Sequence, residues 1–104
     1  MKVHINTSVH QQIHDFYKIA MIKHISLDEI TVARKIDRLY KALDSLGLYA
    51  NSYPLARLKQ DWISKGYKEY IYEDFHFAYQ VYICDDGSEI VNIHDVCHSY
   101  LYKE

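Results

Sequence analysis

Between Phe75 and Ile83 the chain places Phe75, Phe77, Tyr79, Val81 and Ile83 at every second position, with His76, Ala78, Gln80 and Tyr82 between them. A period of two sends alternate side chains to opposite faces of an extended segment, so this stretch predicts a strand with one apolar face. Asp85-Asp86-Gly87-Ser88 follows, and its Asp-Gly pair suits a tight hairpin because glycine takes positive φ without steric cost. Glu89 to His98 then begins a second β-rich run, expected to pair antiparallel with the first. Val91 and Ile93 keep one parity, Val96 and His98 the other, which predicts a bulge near His94 and Asp95 that re-aims His98. The region from Gly66 to His98 thus reads as consecutive strands of one antiparallel sheet, and the earlier chain as the cover for its apolar face.

Lys2-Val3-His4-Ile5 suits a short strand added to the same sheet. Thr7 or Ser8 then caps a helix carrying Val9, Ile13, Phe16, Tyr17 and Ala20 on one face and His10, Gln11, His14 and Lys18 on the other. Ser26-Leu27-Asp28-Glu29 has the form of a capping box, with Ser26 at the cap, and starts a second helix just after the first ends near His24. So short a connection predicts a helical hairpin. The second helix is expected to bury Ile30, Ala33, Ile36, Leu39, Tyr40, Leu43 and Leu46, to expose Arg34, Lys35, Asp37, Arg38 and Lys41, and to stop at Gly47. Tyr49 to Leu58, containing the one proline, Pro54, reads as a loop. Arg57, Lys59, Lys65 and Lys68 make a locally basic stretch running through Trp62 into the strand that begins around Gly66.

A chain of 104 residues is one domain and buries only about two thirds of its unfolded surface, enough for one sheet and one helical layer. No window approaches the roughly 18 apolar residues of a membrane span, and the first residues lack the form of a secretory signal, so a cytoplasmic location is expected. Cys84 and Cys97 lack CxxC spacing and read as small buried thiols, with a disulfide between neighbouring strands as the alternative. His10 and His14 sit four apart on a helix without an evident third ligand, and His94 and His98 are about 13 Å apart on an extended strand, so no metal site is assigned. The net charge of −2 divides unevenly. Residues 1–51 carry seven Lys or Arg against five Asp or Glu, and residues 52–104 carry five against nine. The acidic half holds the sheet, which is unfavourable for broad phosphate binding.

Strand, helical hairpin, loop and a meander ending in a histidine-bearing strand resemble, in that order, the RelE/ParE superfamily of toxins from type II toxin–antitoxin pairs. The residues that carry the resemblance are Gly66-Tyr67-Lys68, the run Phe75-His76-Phe77-Ala78-Tyr79-Gln80-Val81, and Asp86-Gly87 followed by Val91, Ile93, Val96 and His98. The chain departs from the family pattern in having His76 where many members place an arginine, and Asp95, Cys97 and Ser99 where several nuclease members have basic residues. Lys103 is its one late cation.

The resemblance implies an α+β fold with an N-terminal strand and helical hairpin packed on one face of a twisted antiparallel sheet, and an antitoxin as binding partner. For the nuclease branch it implies cleavage of ribosome-bound messenger RNA without metal or cofactor, by attack of a ribose 2′-hydroxyl on the adjacent phosphate. That chemistry needs an acid–base pair and cations, for which His76, His98 and Lys68 are the candidates, with Tyr100 or Tyr102 to stack a base and Arg57, Lys59 and Lys65 to meet the nucleic acid. For the other branch it implies a non-enzymatic toxin that binds DNA gyrase or another protein, and a degenerate member would bind only antitoxin. A homodimer stays among the assemblies open to it. Eleven tyrosines, with Tyr67, Tyr70 and Tyr72 on one strand, supply amphipathic contact area for a protein partner.

Overall fold

Lys2–Ile5 forms β1, Thr7–Lys23 α1, Glu29–Tyr49 α2, Gln60–Ser64 α3, Lys68–Tyr72 β2, Phe75–Ile83 β3 and Glu89–His98 β4, in a computed structural model that describes residues 1–24 and 27–99. The fold is α+β, with α1 and α2 packed on one face of a four-stranded sheet of order β1-β4-β3-β2. β2, β3 and β4 form the expected antiparallel meander, with Gly87 at φ 85 in the second turn. β1 joins β4 in parallel, from Lys2 opposite Ile90 to Ile5 opposite Ile93, so the sheet is mixed and not wholly antiparallel.

The core between helices and sheet takes Val9, Ile13 and Tyr17 from α1, Val32, Leu39, Leu43 and Leu46 from α2, and Phe75, Phe77, Tyr79, Val91, Ile93 and Val96 from β3 and β4. Two apolar residues spaced by odd numbers, Ile93 and Val96, reach the same face because β4 carries an extra residue. Ala78 pairs with Asp95 and Tyr79 with Ile93, leaving His94 as the bulge. The aromatic alternation of β3 is buried from Phe75 to Tyr79, but Ile83 at the strand's far end is 76% exposed. The Tyr79 hydroxyl donates to the Ala50 carbonyl at 2.6 Å, fixing the turn that follows α2 against the sheet.

Several expectations for the helical layer and loop need correction. The N-cap of α1 is Asn6, with Thr7 and Ser8 inside the helix. Ser26 lies outside the described residues, and α2 is capped by Asp28, whose carboxylate accepts from the Thr31 N–H at 2.7 Å. The buried stripe of α2 is rotated: Val32 is in the core, while Ile30 and Ala33 face outward. Gly47 does not stop the helix, which runs on to Tyr49; a Cβ there would stand 2.3 Å from the Met1 carbonyl oxygen, so glycine is needed for β1 to pass close to α2. The chain after Pro54 is not simply loop. Leu55 bridges Lys68, α3 follows, and Ala56, Trp62 and Ala78 form a second small core on the sheet face away from α1 and α2. A sheet covered only on its helical side would have left Trp62 exposed; here it is fully buried.

His10, expected on the polar face of α1, packs against α2 with its ring stacked on Tyr40 and Nδ1 2.7 Å from the Tyr40 hydroxyl. No helix among the described residues is long and apolar enough to cross a membrane.

Candidate functional site

The strand register decides which candidate residues can meet. His76 pairs with Cys97 and Ile71, whereas His98 pairs with Phe75. Alternation therefore sends His76 to the face covered by α3 and His98 to the face covered by α1. His98 is buried there, stacked on Phe16 at 4.2 Å between ring centroids and edge-on to Phe75. Burial is the main cause that pulls its pKa below the ordinary histidine value, opposed by the nearby Asp74 carboxylate, so this ring is neutral core material near pH 7.

Lys68 lies on the helical side as well, opposite Tyr79, and its ammonium donates to the Tyr53 carbonyl at 2.8 Å. The partners of Lys68 and His98 on β3, Tyr79 and Phe75, lie four positions apart, about 13 Å along the strand. His76, His98 and Lys68 are therefore not gathered into one site. Tyr100, Tyr102 and Lys103 lie outside the described residues.

What the α3-side face does gather is a chain of polar groups around His76. The Glu69 carboxylate accepts from His76 Nδ1 at 2.7 Å, and Nε2 lies 3.1 Å from the Ser99 hydroxyl oxygen. The Ser99 hydroxyl also donates to the Asp74 carbonyl at 3.0 Å, and its N–H donates to the same oxygen at 2.7 Å. The side chains of His76 and Glu69 are only 12% and 11% exposed, so the pair is partly shielded from water. Glu69 fixes the proton on Nδ1 and leaves Nε2 as the end that exchanges, the arrangement an acid–base histidine requires. By turning its hydroxyl proton between Asp74 and Nε2, Ser99 can satisfy the ring in either charge state. Glu69 was not singled out from the sequence. The signal was present, since a two-residue turn at Glu73-Asp74 brings residues 69 and 76 to one face.

The three residues predicted to meet nucleic acid flank this same face. Arg57 lines a cleft with Glu69. Lys59 lies over the Trp62 ring at 5.8 Å and lines a groove with Asp95 and Cys97. Lys65 lies over the Tyr67 ring at 5.9 Å. Tyr67 in turn stacks on His94 at 4.7 Å, with the Tyr82 hydroxyl 2.9 Å from His94 Nε2. Burial first, and then Lys65, depress the His94 pKa. The Cys97 thiol, beside His76 in the register, is pushed up by burial. Asp95 holds the bulge together: one carboxylate oxygen accepts from Trp62 Nε1 at 2.9 Å, the other from the Val96 N–H at 2.9 Å and from Gln12 at 3.3 Å. Among the described residues no three His, Cys, Asp or Glu side chains lie close enough together to hold a metal ion.

Compared with protein-family models, with curated proteins and with solved structures, the chain matches none.

Proposed function

We propose that this protein is the toxin component of a type II toxin–antitoxin pair of the RelE/ParE kind, and that it cleaves ribosome-bound messenger RNA without a metal. The observation that carries the reading is the Glu69–His76–Ser99 relay, partly shielded on the face that Arg57, Lys59 and Lys65 also border. In this reading His76 Nε2 takes the proton of a ribose 2′-hydroxyl as its oxygen attacks the adjacent phosphorus. The bond from phosphorus to the 5′-oxygen breaks, that oxygen takes a proton from water, and a cyclic phosphate remains. The basic residues offset the charge that builds on the phosphate. The order of strand, two helices and meander supports the toxin class, as the resemblance requires.

A second reading, a non-enzymatic toxin that binds gyrase or another protein, is favoured by one observation: His98 and Lys68, the other candidate catalytic groups, sit on the opposite face and are engaged there.

Induced expression with growth followed and transcript ends mapped by primer extension separates the two. The ribonuclease reading expects growth arrest with cuts at ribosome-occupied codons, both lost in His76→Ala and both retained in His98→Phe. Arrest with intact transcripts selects the protein-binding toxin, and no arrest at all removes the toxin reading.

A further inference from the structure

Three consecutive strands each bring one group to the His76 ring. Its direct partners across the sheet are Ile71 on β2 and Cys97 on β4. Two residues along from each, and so on the same face, stand Glu69 and Ser99, diagonal neighbours within reach of the ring. Glu69 bonds Nδ1 and Ser99 meets Nε2. Ser99 is exposed, whereas the side chains of His76 and Glu69 are largely covered. A hydroxyl at the surface, a histidine behind it and a carboxylate behind the histidine is the order of groups that activates a serine for attack.

With the Nδ1 proton held by Glu69, Nε2 of the neutral ring carries a lone pair, so the Ser99 hydroxyl is the donor between them. The Asp74 carbonyl, 3.0 Å from the same hydroxyl, competes for that proton. It also accepts the Ser99 N–H at 2.7 Å, so it keeps a partner when the hydroxyl turns to Nε2, and the backbone bond holds the serine in place. Cys97, opposite His76, lines a groove of about 240 Å³ with Gln12, Lys59 and Val96. That volume suits a short acyl group, and Lys59 supplies a cation for the charge that forms on its oxygen.

The geometry points to a second activity at this face: Ser99 is a nucleophile towards small activated esters, with His76 as its base and Glu69 as the residue that positions His76. The Ser99 oxygen bonds to the ester carbonyl carbon while its proton passes to His76 Nε2. The alkoxide leaves with that proton, and Ser99 is acylated. Water then attacks the acyl carbon, giving a proton to His76, and the carboxylic acid departs as that proton returns to the Ser99 oxygen. None of this depends on RNA cleavage.

The probe is a fluorescent alkyl fluorophosphonate, which bonds a serine oxygen to phosphorus as fluoride leaves, with the labelled peptide located by mass spectrometry. The full folded chain should be labelled at Ser99, and the urea-unfolded chain should not. The labelling rate should rise with pH as His76 loses its proton and then level off. His76→Ala, or His76→Gln if the first unfolds, should slow it by about a hundredfold and remove the levelling. Glu69→Gln should slow it by more than about tenfold, and Glu69→Asp should recover part of that loss. p-Nitrophenyl acetate should be hydrolysed by the chain and not by Ser99→Ala. Circular dichroism checks that each variant keeps the fold. No label on Ser99, label indifferent to the His76 substitutions, or equal label on the unfolded chain overturns the proposal. Transcript cleavage with no label on Ser99 would sink this activity and leave the ribonuclease reading standing, and label without cleavage would do the reverse.

Discussion

Trp62 Nε1 donates to Asp95 Oδ2 at 2.9 Å, and through this bond the short helix on one face of the sheet is tied to the bulge in β4. The same carboxylate reaches Gln12 of α1, so one side chain joins elements from both faces. The bulge places His94 outside the ladder and brings Val96 and His98 onto the core side, so the placement of His98 away from His76 depends on it.

Asp95→Ala should therefore cost more than an exposed carboxylate normally does. It removes the carboxylate that accepts from the Trp62 and Val96 N–H groups, a loss expected to cost about 1–3 kcal/mol. Denaturant unfolding followed by the fluorescence of Trp62, the single tryptophan, should show a clearly lowered midpoint. Gln12→Ala, which removes a longer and exposed contact, should change it by about 0.5 kcal/mol or less. Equal effects of the two would contradict the role given to Asp95.

Gly47→Ala tests the approach of β1 to α2. By helix propensity alone, alanine should stabilise an α-helix interior by about 1 kcal/mol. The added Cβ would meet the Met1 carbonyl at 2.3 Å, so backbone must shift, and the net outcome should be destabilisation of about 1–3 kcal/mol. A stabilised variant in thermal or urea unfolding would show that the first strand yields easily.

At the alkaline end, stability should fall once pH exceeds about 10, the ordinary tyrosine pKa. Burial raises the Tyr79 pKa far above that value, and those of Tyr17, Tyr40 and Tyr70 in the same direction. The unfolded chain then loses its phenolic protons first, and the stability present below pH 10 is lost as pH rises towards the folded values. Tyr79→Phe should be less stable near pH 7, by about 1 kcal/mol for the lost bond to Ala50, and should show a shallower alkaline decline.

At the acid side, His98 and His94 both have folded pKa values below the ordinary histidine value, through burial first. Their contribution is present above about pH 6.5 and is lost as pH falls through the folded values, because the unfolded chain binds the protons more readily. Unfolding midpoints measured from pH 7.5 to pH 5 should therefore decline. His98→Phe, which keeps an aromatic ring against Phe16, should flatten part of that slope and leave the part due to His94.

Local patterns made much of this architecture legible. The Phe75–Ile83 alternation, the Asp86-Gly87 turn and the change of parity between Ile93 and Val96 each depend on neighbours in the chain, and strands, hairpin and bulge appear where these point. What was not legible depends on distant partners. Gly47 looked like a helix stop because its real constraint is Met1, far away in sequence. Val32 replaced Ala33 in the core because the roll of α2 is set by the sheet beneath it. Trp62 gave no periodic signal, since α3 has only five residues and buries through Asp95 and Ala78. The separation of His76 and His98 was within reach, because the predicted bulge already implied that His98 joins the core parity. Glu69 needed the register of β2 against β3, which the turn at Glu73-Asp74 sets.

The parallel pairing of β1 with β4 also bears on how the chain is made. Residues 2–5 are synthesised well before residues 90–93, their strand partners among the described residues. Until those emerge, α1 and α2 have no completed sheet to cover, and their apolar stripes are open to other chains. Closing so long a loop is slow compared with forming local contacts, so this domain should become resistant to protease only after residues 90–93 have left the ribosome, and a holding chaperone or a waiting binding partner would find its target during that interval.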